Sequence, residues 1–383
     1  MCVSIGVVNR QILSLFLLSR LIFIAFALVA SFLIPLKEGY LGKQHFPNEP
    51  YLAWIWANFD GRHFSDIVIS GYRNFNFAYF PLYPLLIQIL DYRLIIDPPY
   101  VGILLSAIAF IGALWMLYKI IRLDYPHRIA SLALLLISFF PLSFFYHSMY
   151  SDSLFLLLSV FSFYWARKGN WVLAGIFGGL VTLTRLSGLA LIPALFFEWC
   201  LQNKTVLQRW KVYIVPFLKT CFVALLLTSL GFISYIAYLQ FVHGDFLLFQ
   251  KSMVAWRQHE FVFPPQIIFR YLKIFVLVDK GLLVYWVALL EFVSMVLYFI
   301  LTYFVAKKVR LSYGALMFFI FLLPTFTGTF AGMPRYILHA FPAFIGLALL
   351  LDKRKLLKMS LLIAFLVLGF IFTGLFTRGY FLA

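Results

Sequence analysis

The residues able to do chemistry gather in a few short stretches of an otherwise apolar chain. In the first, Asn58-Phe59-Asp60-Gly61-Arg62-His63-Phe64-Ser65-Asp66 sets two carboxylates, a guanidinium and an imidazole within two helical turns. Asp60 and His63 are three apart, so on a helix they share a face. A carboxylate so placed can take the proton of a hydroxyl. Gly61 beside Asp60 offers room for a ligand to approach the backbone. The same polar side chains also read as the wet side of an amphipathic helix along a membrane interface. Leu52, Ile55, Trp56, Phe59 and Ile67 would form its apolar side.

The second stretch is Tyr150-Ser151-Asp152, which opens an apolar run. Ser151 suits an N-cap and Asp152 complements a helix dipole. The functional alternative is a second carboxylate facing the same outer cavity as Asp60. Two arginines complete the set. Arg185, in Thr184-Arg185-Leu186-Ser187-Gly188, lies between two short apolar runs. Broken helices at membrane depth are tolerated where they line a cavity. An arginine there needs an anionic partner: a lipid phosphate suits its planar fork, and an aspartate such as Asp152 is the structural alternative. Arg335, in Gly332-Met333-Pro334-Arg335-Tyr336, begins a run and can instead snorkel to headgroups. His339 reads as a packing residue. The mixed-sign segment with His243, Asp245, Lys251, Arg257, His259 and Glu260 reads equally as loop surface.

The elements that must position these groups are set by composition. Of the 383 residues, 64% are hydrophobic and 12% charged, against about 25% charged in a soluble domain. So little charge cannot make an aqueous surface, so the surrounding solvent is lipid. Runs long enough to cross, at about 20 residues each, fall near 11–35, 99–121, 129–148, 213–242, 281–305, 312–330, 334–351 and 359–377. Shorter runs at 151–166, 171–184 and 187–199 are bounded by charge or glycine, the last two meeting at Arg185. The expected fold is therefore an all-α polytopic membrane protein of about eleven spans. No repeat or linker divides the chain, so 1–383 reads as one domain. Gly175 and Gly179 make a small-residue face for close helix packing. The apolar stretch from Ile12 to Pro35 exceeds a signal h-region, so it reads as a span that stays.

The net charge of +17 does not point to nucleic acid, because the cations sit in clusters between apolar runs. Lys119, Arg122 and Arg128; Arg167 and Lys168; Lys204, Arg209 and Lys211; Lys307, Lys308 and Arg310; and Lys353, Arg354, Lys355 and Lys358 mark one cytoplasmic side. Two longer segments, about 36–98 and 243–280, fall on the opposite side. That parity holds if 81–96, which starts within Phe80-Pro81-Leu82-Tyr83-Pro84, is a helix in the outer leaflet and not a span. The sequon Asn203-Lys204-Thr205 falls on the cytoplasmic side. Cys2, Cys200 and Cys221 have no metal-ligand spacing and form no disulfide framework. No phosphate-binding glycine loop, dinucleotide motif, HExxH or paired CxxC occurs.

Taken in order, these stretches resemble the GT-C membrane glycosyltransferases, and within them the GPI mannosyltransferase 2 (PIG-V-like) family and its prokaryotic relatives. Phe59-Asp60-Gly61 stands where that family has Trp-Asp-Gly in its first outer loop. Phe77-Ala78-Tyr79-Phe80-Pro81-Leu82-Tyr83-Pro84 resembles its aromatic-Phe-Pro stretch, and Tyr150-Ser151-Asp152-Ser153-Leu154-Phe155 its Tyr-Ser/Thr-Glu-Ser-Leu-Phe. Thr184-Arg185-Leu186-Ser187-Gly188 and Arg335-Tyr336 followed by Pro342 also match. Phe59 for Trp and Asp152 for Glu are the two departures. The resemblance implies a GT-C-like fold with interfacial helices in the first outer loop. It implies inverting sugar transfer, most readily of mannose, from a polyprenyl-phosphate donor on the non-cytoplasmic face. Asp60 would then be the base, Arg185 and Arg335 the donor-phosphate contacts, and Arg62, His63, Tyr150, Asp152 and Tyr336 the substrate contacts. The acceptor would be a glycolipid, glycan or protein. No cofactor or metal site is read in the chain, the phosphate being already a stable leaving anion. The length favours a prokaryotic plasma membrane over the endoplasmic reticulum. Two other readings are a transporter or flippase of a lipid-linked sugar, and a non-catalytic subunit of a glycan assembly complex.

Overall fold

A computed structural model of the protein describes residues 5–38, 54–94, 96–204, 210–256, 258 and 261–382. Helices are its regular structure, and the described residues contain no strand. Long apolar runs with no proline beyond the first helical turn give α1 (Ile5–Leu33), α4 (Pro98–Ile121), α10 (Cys221–His243), α12 (Leu283–Lys308) and α15 (Lys355–Thr377). Their ends fall within four residues of the expected runs, except that α1 starts six residues earlier and α10 eight residues later than expected. These are long and apolar enough to cross a bilayer, α10 together with the preceding α9 (Trp210–Lys219). The protein is thus a multi-pass membrane protein. Other apolar helices are shorter: α5 (His127–Phe139), α7 (Trp171–Thr182), α8 (Leu191–Gln202) and α13 (Leu311–Thr325). At 1.5 Å per residue these fall short of a hydrocarbon core of about 30 Å. The expected count of eleven spans included such helices as full crossings.

The chain forms two compact units. The first combines the described residues within 1–72, 82–160 and 347–382; the second combines those within 73–81 and 161–346. In the first, α1 packs along α15. Gly369 admits the Phe23 ring at that seam, and the Phe26 and Phe370 rings meet edge to face at 5.6 Å. The helices α2 (Asp60–Ser70), α3 (Leu82–Leu94), α4, α5 and the start of α6 (Asp152–Arg167) complete this unit. The short α3 buries Tyr83 and Ile87 and exposes Leu85, Ile89 and Tyr92, a two-sided helix too short to cross. At one end of the unit Arg128 pairs with Asp352, joining two of the segments that charge bias places on one side.

In the second unit, α7 lies against α10 with almost no side chain between them. A Cβ on Gly175 would meet the Ala224 backbone at 2.8 Å, and one on Gly179 the Leu227 carbonyl at 2.6 Å. The expected small-residue face is thus the contact face. Trp171, Ala174, Leu195, Trp199 and Cys221 build the neighbouring core. Cys200 and Cys221 are free thiols, and Cys2 lies outside the described residues. The helices α11 (Pro264–Leu277), α12, α13 and α14 (Phe341–Leu351) complete the unit.

Three elements differ from the sequence expectation. The run at 129–148 is helical only to Phe139, because Pro141 disfavours helix at Phe140. It continues as a buried irregular segment with a 3₁₀ turn at Ser143–Tyr146. The run at 334–351 is broken: Met333–His339 and Phe341–Leu351 are bent by 88°. Pro342 supplies no N–H to continue the first piece. Ile55, Trp56, Phe59 and Ile67 do not share one helix. A 3₁₀ turn at Ile55–Ala57 ends in extended Asn58, and α2 starts afresh at Asp60. Leu52 lies outside the described residues, as do Thr205 of the sequon and Arg257, His259 and Glu260.

Candidate active site

The strongest local geometry surrounds Asp60 in the first unit. Phe59 has φ 51°, the one positive φ of a residue other than glycine among the described residues. Such a backbone costs about 1–3 kcal/mol and persists only where its surroundings impose it. Here they do. The Phe59 ring lies 5.7 Å from Phe376 and 6.0 Å from Phe381, and Asn58 Nδ2 donates to the Phe376 carbonyl. The Tyr150 hydroxyl donates to the Asn58 carbonyl at 2.9 Å and accepts the Asp60 N–H at 3.3 Å. Met149 N–H donates to the Trp56 carbonyl at 2.9 Å. The loop is thereby turned so that Asp60, half-buried, becomes the first residue of α2, where the helix dipole favours its carboxylate.

His63 stands one turn on, also half-buried, and Arg62 and Asp66 are exposed. Gly61 serves a different purpose from the one expected. It is buried, and a Cβ there would meet the Met149 carbonyl at 3.3 Å. The missing side chain admits the 149–150 backbone and not a ligand.

Tyr150 is held from behind. Ser106 Oγ donates to its carbonyl at 3.0 Å, and Ser106 in turn bonds the Tyr83 hydroxyl at 2.8 Å. Tyr83 donates to the Gly102 carbonyl. Burial pushes the Tyr83 hydroxyl well above the usual tyrosine range, with the nearby Asp152 charge adding to the shift. Asp152 itself begins α6 and is fully buried. Of the two readings the sequence left open for Asp152, its burial at a helix start fits the structural one. Its place in the first turn of α6 suits its charge to the helix dipole.

The other expected residues lie in the second unit. Arg185 is half-buried and extended (φ −159°), between the end of α7 and a 3₁₀ turn at Leu186–Ala190 that leads into α8. The expected helix break is real. Gly188 permits it, since a Cβ there would meet the Thr182 backbone at 2.9 Å. Arg335 and Tyr336 are half-buried on the short helical turn Met333–Tyr336, ahead of the right-angle bend. Tyr336 faces the His339 ring at 5.7 Å, and Tyr298 Oη donates to the Pro334 carbonyl at 3.0 Å. In the segment after α10, Gly244 (φ 75°) caps the helix and Lys251 pairs with Asp245 at 2.6 Å. That hydrogen bond holds the Asp245 carboxyl below its ordinary value. Loop surface is therefore the reading that fits there.

Among the described residues no three His, Cys, Asp or Glu side chains cluster as metal ligands.

Residues 81–232, less than half of the chain, match the family model described as dolichyl-phosphate-mannose-protein mannosyltransferase. Over that stretch the chain is similar to mannosyltransferases. The match takes in Tyr150, Asp152 and Arg185 and leaves Asp60 and Arg335 outside. No curated protein matches the chain. Three crystal structures of the Archaeoglobus fulgidus oligosaccharyltransferase are similar to it: a complex with Zn and sulfate, a form tethered to an acceptor peptide containing the NVT sequon, and the apo form. Each is 14% identical, with a TM-score of 0.45, over 96–97% of this chain. The chain spans about half the length of those structures, 53–56%.

Three ionisable residues inside apolar runs escape a reading by motif: Arg20 in α1, Glu198 in α8 and Glu291 in α12. Arg20 is buried and donates to the Ser138 and Ser143 carbonyls, Ser143 Oγ and His147 Nδ1. Glu198 is buried and receives Arg310, Ser312 and Gln202. Glu291 accepts from the Tyr271 hydroxyl, which also receives the Phe330 N–H at 2.9 Å. The signal is present in the sequence, because a charge inside an apolar run is a functional or structural site by default.

Proposed function

We propose that the protein is an inverting membrane glycosyltransferase of the GT-C type. It moves a sugar, mannose before others, from a polyprenyl-phosphate donor to an acceptor hydroxyl on the non-cytoplasmic face. The observation that carries this reading is the half-buried Asp60 at the start of α2, following a strained loop residue whose neighbouring backbone Tyr150 fixes. The family match over 81–232 supports the donor class. It points to a different mannosyltransferase family from the PIG-V-like one, and both names concern mannose transfer.

In the proposed reaction, Asp60 takes the proton of the acceptor hydroxyl as its oxygen attacks the anomeric carbon. The bond from that carbon to the phosphate oxygen breaks, and the electron pair leaves with polyprenyl phosphate. Arg185 and Arg335 meet the charge growing on that phosphate. Arg62, His63 and Tyr336 contact the sugars. Tyr150 acts on Asp60 through the backbone, and the buried Asp152 supports the segment that carries Tyr150. A plasma membrane of a prokaryote suits this reading, with the site facing away from the cytoplasm. The acceptor is a glycolipid, glycan or protein hydroxyl.

The test is turnover of labelled polyprenyl-phosphate-mannose by the protein in lipid, wild type beside Asp60→Asn. Transfer of label to water or to a membrane-lipid extract is expected from wild type. A loss of about 10²–10⁴-fold is expected in the variant. An Asp60→Asn protein as active as wild type would sink the base assignment. Binding of lipid-linked sugars without turnover, across a panel of sugars, would favour a transporter or a non-catalytic subunit.

A further inference from the structure

Arg20 poses a physical problem that its neighbours answer. It stands mid-way along α1, about 22 Å along the axis from Ile5 at 1.5 Å per residue. A guanidinium there costs about 2.5–3.5 kcal/mol on insertion scales unless it is fully bonded. It is 5% exposed, and its hydrogen bonds go to carbonyls, hydroxyls and an imidazole. Every bond it makes across the unit goes to residues 138–147, the stretch where α5 stops and the chain turns irregular. Nη1 donates to the Ser143 carbonyl at 2.5 Å and meets His147 Nδ1 at 3.1 Å. Nη2 donates to the Ser138 carbonyl at 3.0 Å and to Ser143 Oγ at 2.6 Å. The side chain also lies over the Phe23 and Phe110 rings.

This arrangement has two consequences. Ser138 belongs to the last turn of α5, whose carbonyls have no partner within the helix. Irregular backbone in a membrane protein persists where such groups are satisfied by protein, and Arg20 does this with a charge that also suits a helix C-terminus. Secondly, the chain of contacts continues to Asp60. His147, held by Arg20, sets its ring 4.3 Å from that of Trp56. Its Nδ1 accepts from Arg20, so the proton sits on Nε2, which is buried without a hydrogen-bond partner. The imidazole is therefore placed by its bond to Arg20 and its face against Trp56. Trp56 accepts the Met149 N–H, and Tyr150 ties Asn58 and Asp60 to the same segment.

We propose that Arg20 is a positioning residue for Asp60. Through His147 and Trp56 it locks segment 143–150 as the template on which the Asp60 loop is turned. The proposal rests on the reading of Asp60 as the base for its effect on turnover, but its structural half stands by itself. Lysine cannot replace the fork, since its ammonium lacks the planar array of donors that spans these acceptors.

The experiment uses the full chain in lipid nanodiscs, with Arg20→Lys and His147→Ala beside wild type. His147→Ala removes the link to Trp56 while Arg20 keeps its serine partners, so it guards against a misfolded Arg20 variant. Amide hydrogen exchange is read first. Peptides spanning 54–60 and 143–150 are expected to exchange about tenfold faster in both variants, as loss of one or two hydrogen bonds implies. Peptides spanning 171–202 in the second unit should not change. No change at 54–60, or an equal rise everywhere, overturns the lock. Turnover of polyprenyl-phosphate-mannose is read second. Both variants should lose about 10²-fold in kcat, with donor KM within about twofold of wild type. A rise in donor KM with kcat kept would make Arg20 a donor contact and overturn the proposal. A wild type silent toward every lipid-linked sugar sinks the base assignment, and the exchange data still decide the lock.

Discussion

The two compact units each bury a charge, and they satisfy it in opposite ways. In the first, Arg20 is a cation bonded to neutral groups: two carbonyls, two hydroxyls and an imidazole. In the second, Glu198 is an anion met by countercharge. Arg310 donates to it through Nε at 2.6 Å and Nη2 at 2.8 Å, Ser312 at 2.7 Å, and Arg167 lies 3.5 Å away. The first arrangement caps a broken helix and reaches toward a strained loop. The second ties α8, the start of α13 and the end of α6 at segments that charge bias assigns to one membrane side. A buried ion pair stapling loop ends serves stability, whereas a lone cation spent on irregular backbone serves shape.

The largest effect expected from this contrast is on folding. Glu198→Ala removes the carboxylate that accepts from Arg310 and Ser312, and removal of one partner of a buried pair costs about 3–5 kcal/mol. Thermal unfolding in detergent should show it. At a temperature where the variant remains folded, its kcat should match wild type; a selective loss of kcat would break the distinction between the two clusters. Next, Gly231→Ala should destabilise the second unit without touching any charge. Its Cβ would lie 2.0 Å from the Gly179 carbonyl oxygen, so α7 and α10 must separate. Overpacking of this kind costs about 1–3 kcal/mol, readable in the same melts.

Tyr150→Phe tests the first unit with less force. It deletes one hydroxyl, leaving the Asn58 carbonyl and the Asp60 N–H without that partner. The Asn58 carbonyl keeps the Gly61 N–H, so a cost of about 0.5–1.5 kcal/mol is expected, seen as faster amide exchange at Asp60, a lower kcat and a small fall in melting temperature. The smallest effect belongs to Lys251→Ala. Asp245 is held low by Lys251, so its contribution is present above the unfolded carboxylate value, about 3.9. It is lost as pH falls through the lower native value. Wild type and variant should therefore differ slightly in melting temperature at neutral pH and converge in acid. A difference that grows in acid would reverse the assignment.

Much of the architecture is legible in the sequence because it obeys local rules. Both ends of α4, α12 and α15 and the C-terminal end of α1 lie within a few residues of where apolar runs meet charge or proline. The break at Arg185 is legible too, from a charge set between two short runs. The early end of α5 is written in Phe140-Pro141, a signal that the apolar run through 148 conceals. The candidate site is legible in part. Asp60 stands out by its company, whereas the bonds from the Tyr150 hydroxyl to the Asn58 and Asp60 backbone are legible only in the structure. Gly61 and Asp152 read as ligand and cavity residues, and the structure buries both.

By itself the sequence determined that this chain lives in lipid, where most of its helices begin and end, and which residues are chemically able to act. Those properties depend on composition and on neighbours a few positions apart. Tertiary structure alone decided what Arg20, Glu198 and Tyr150 do. Arg20 meets Ser143 and His147 across 123 and 127 positions, and Tyr150 meets Asn58 across 92. A buried charge or hydroxyl is worth what its partners make it, and no local spacing names partners so far away.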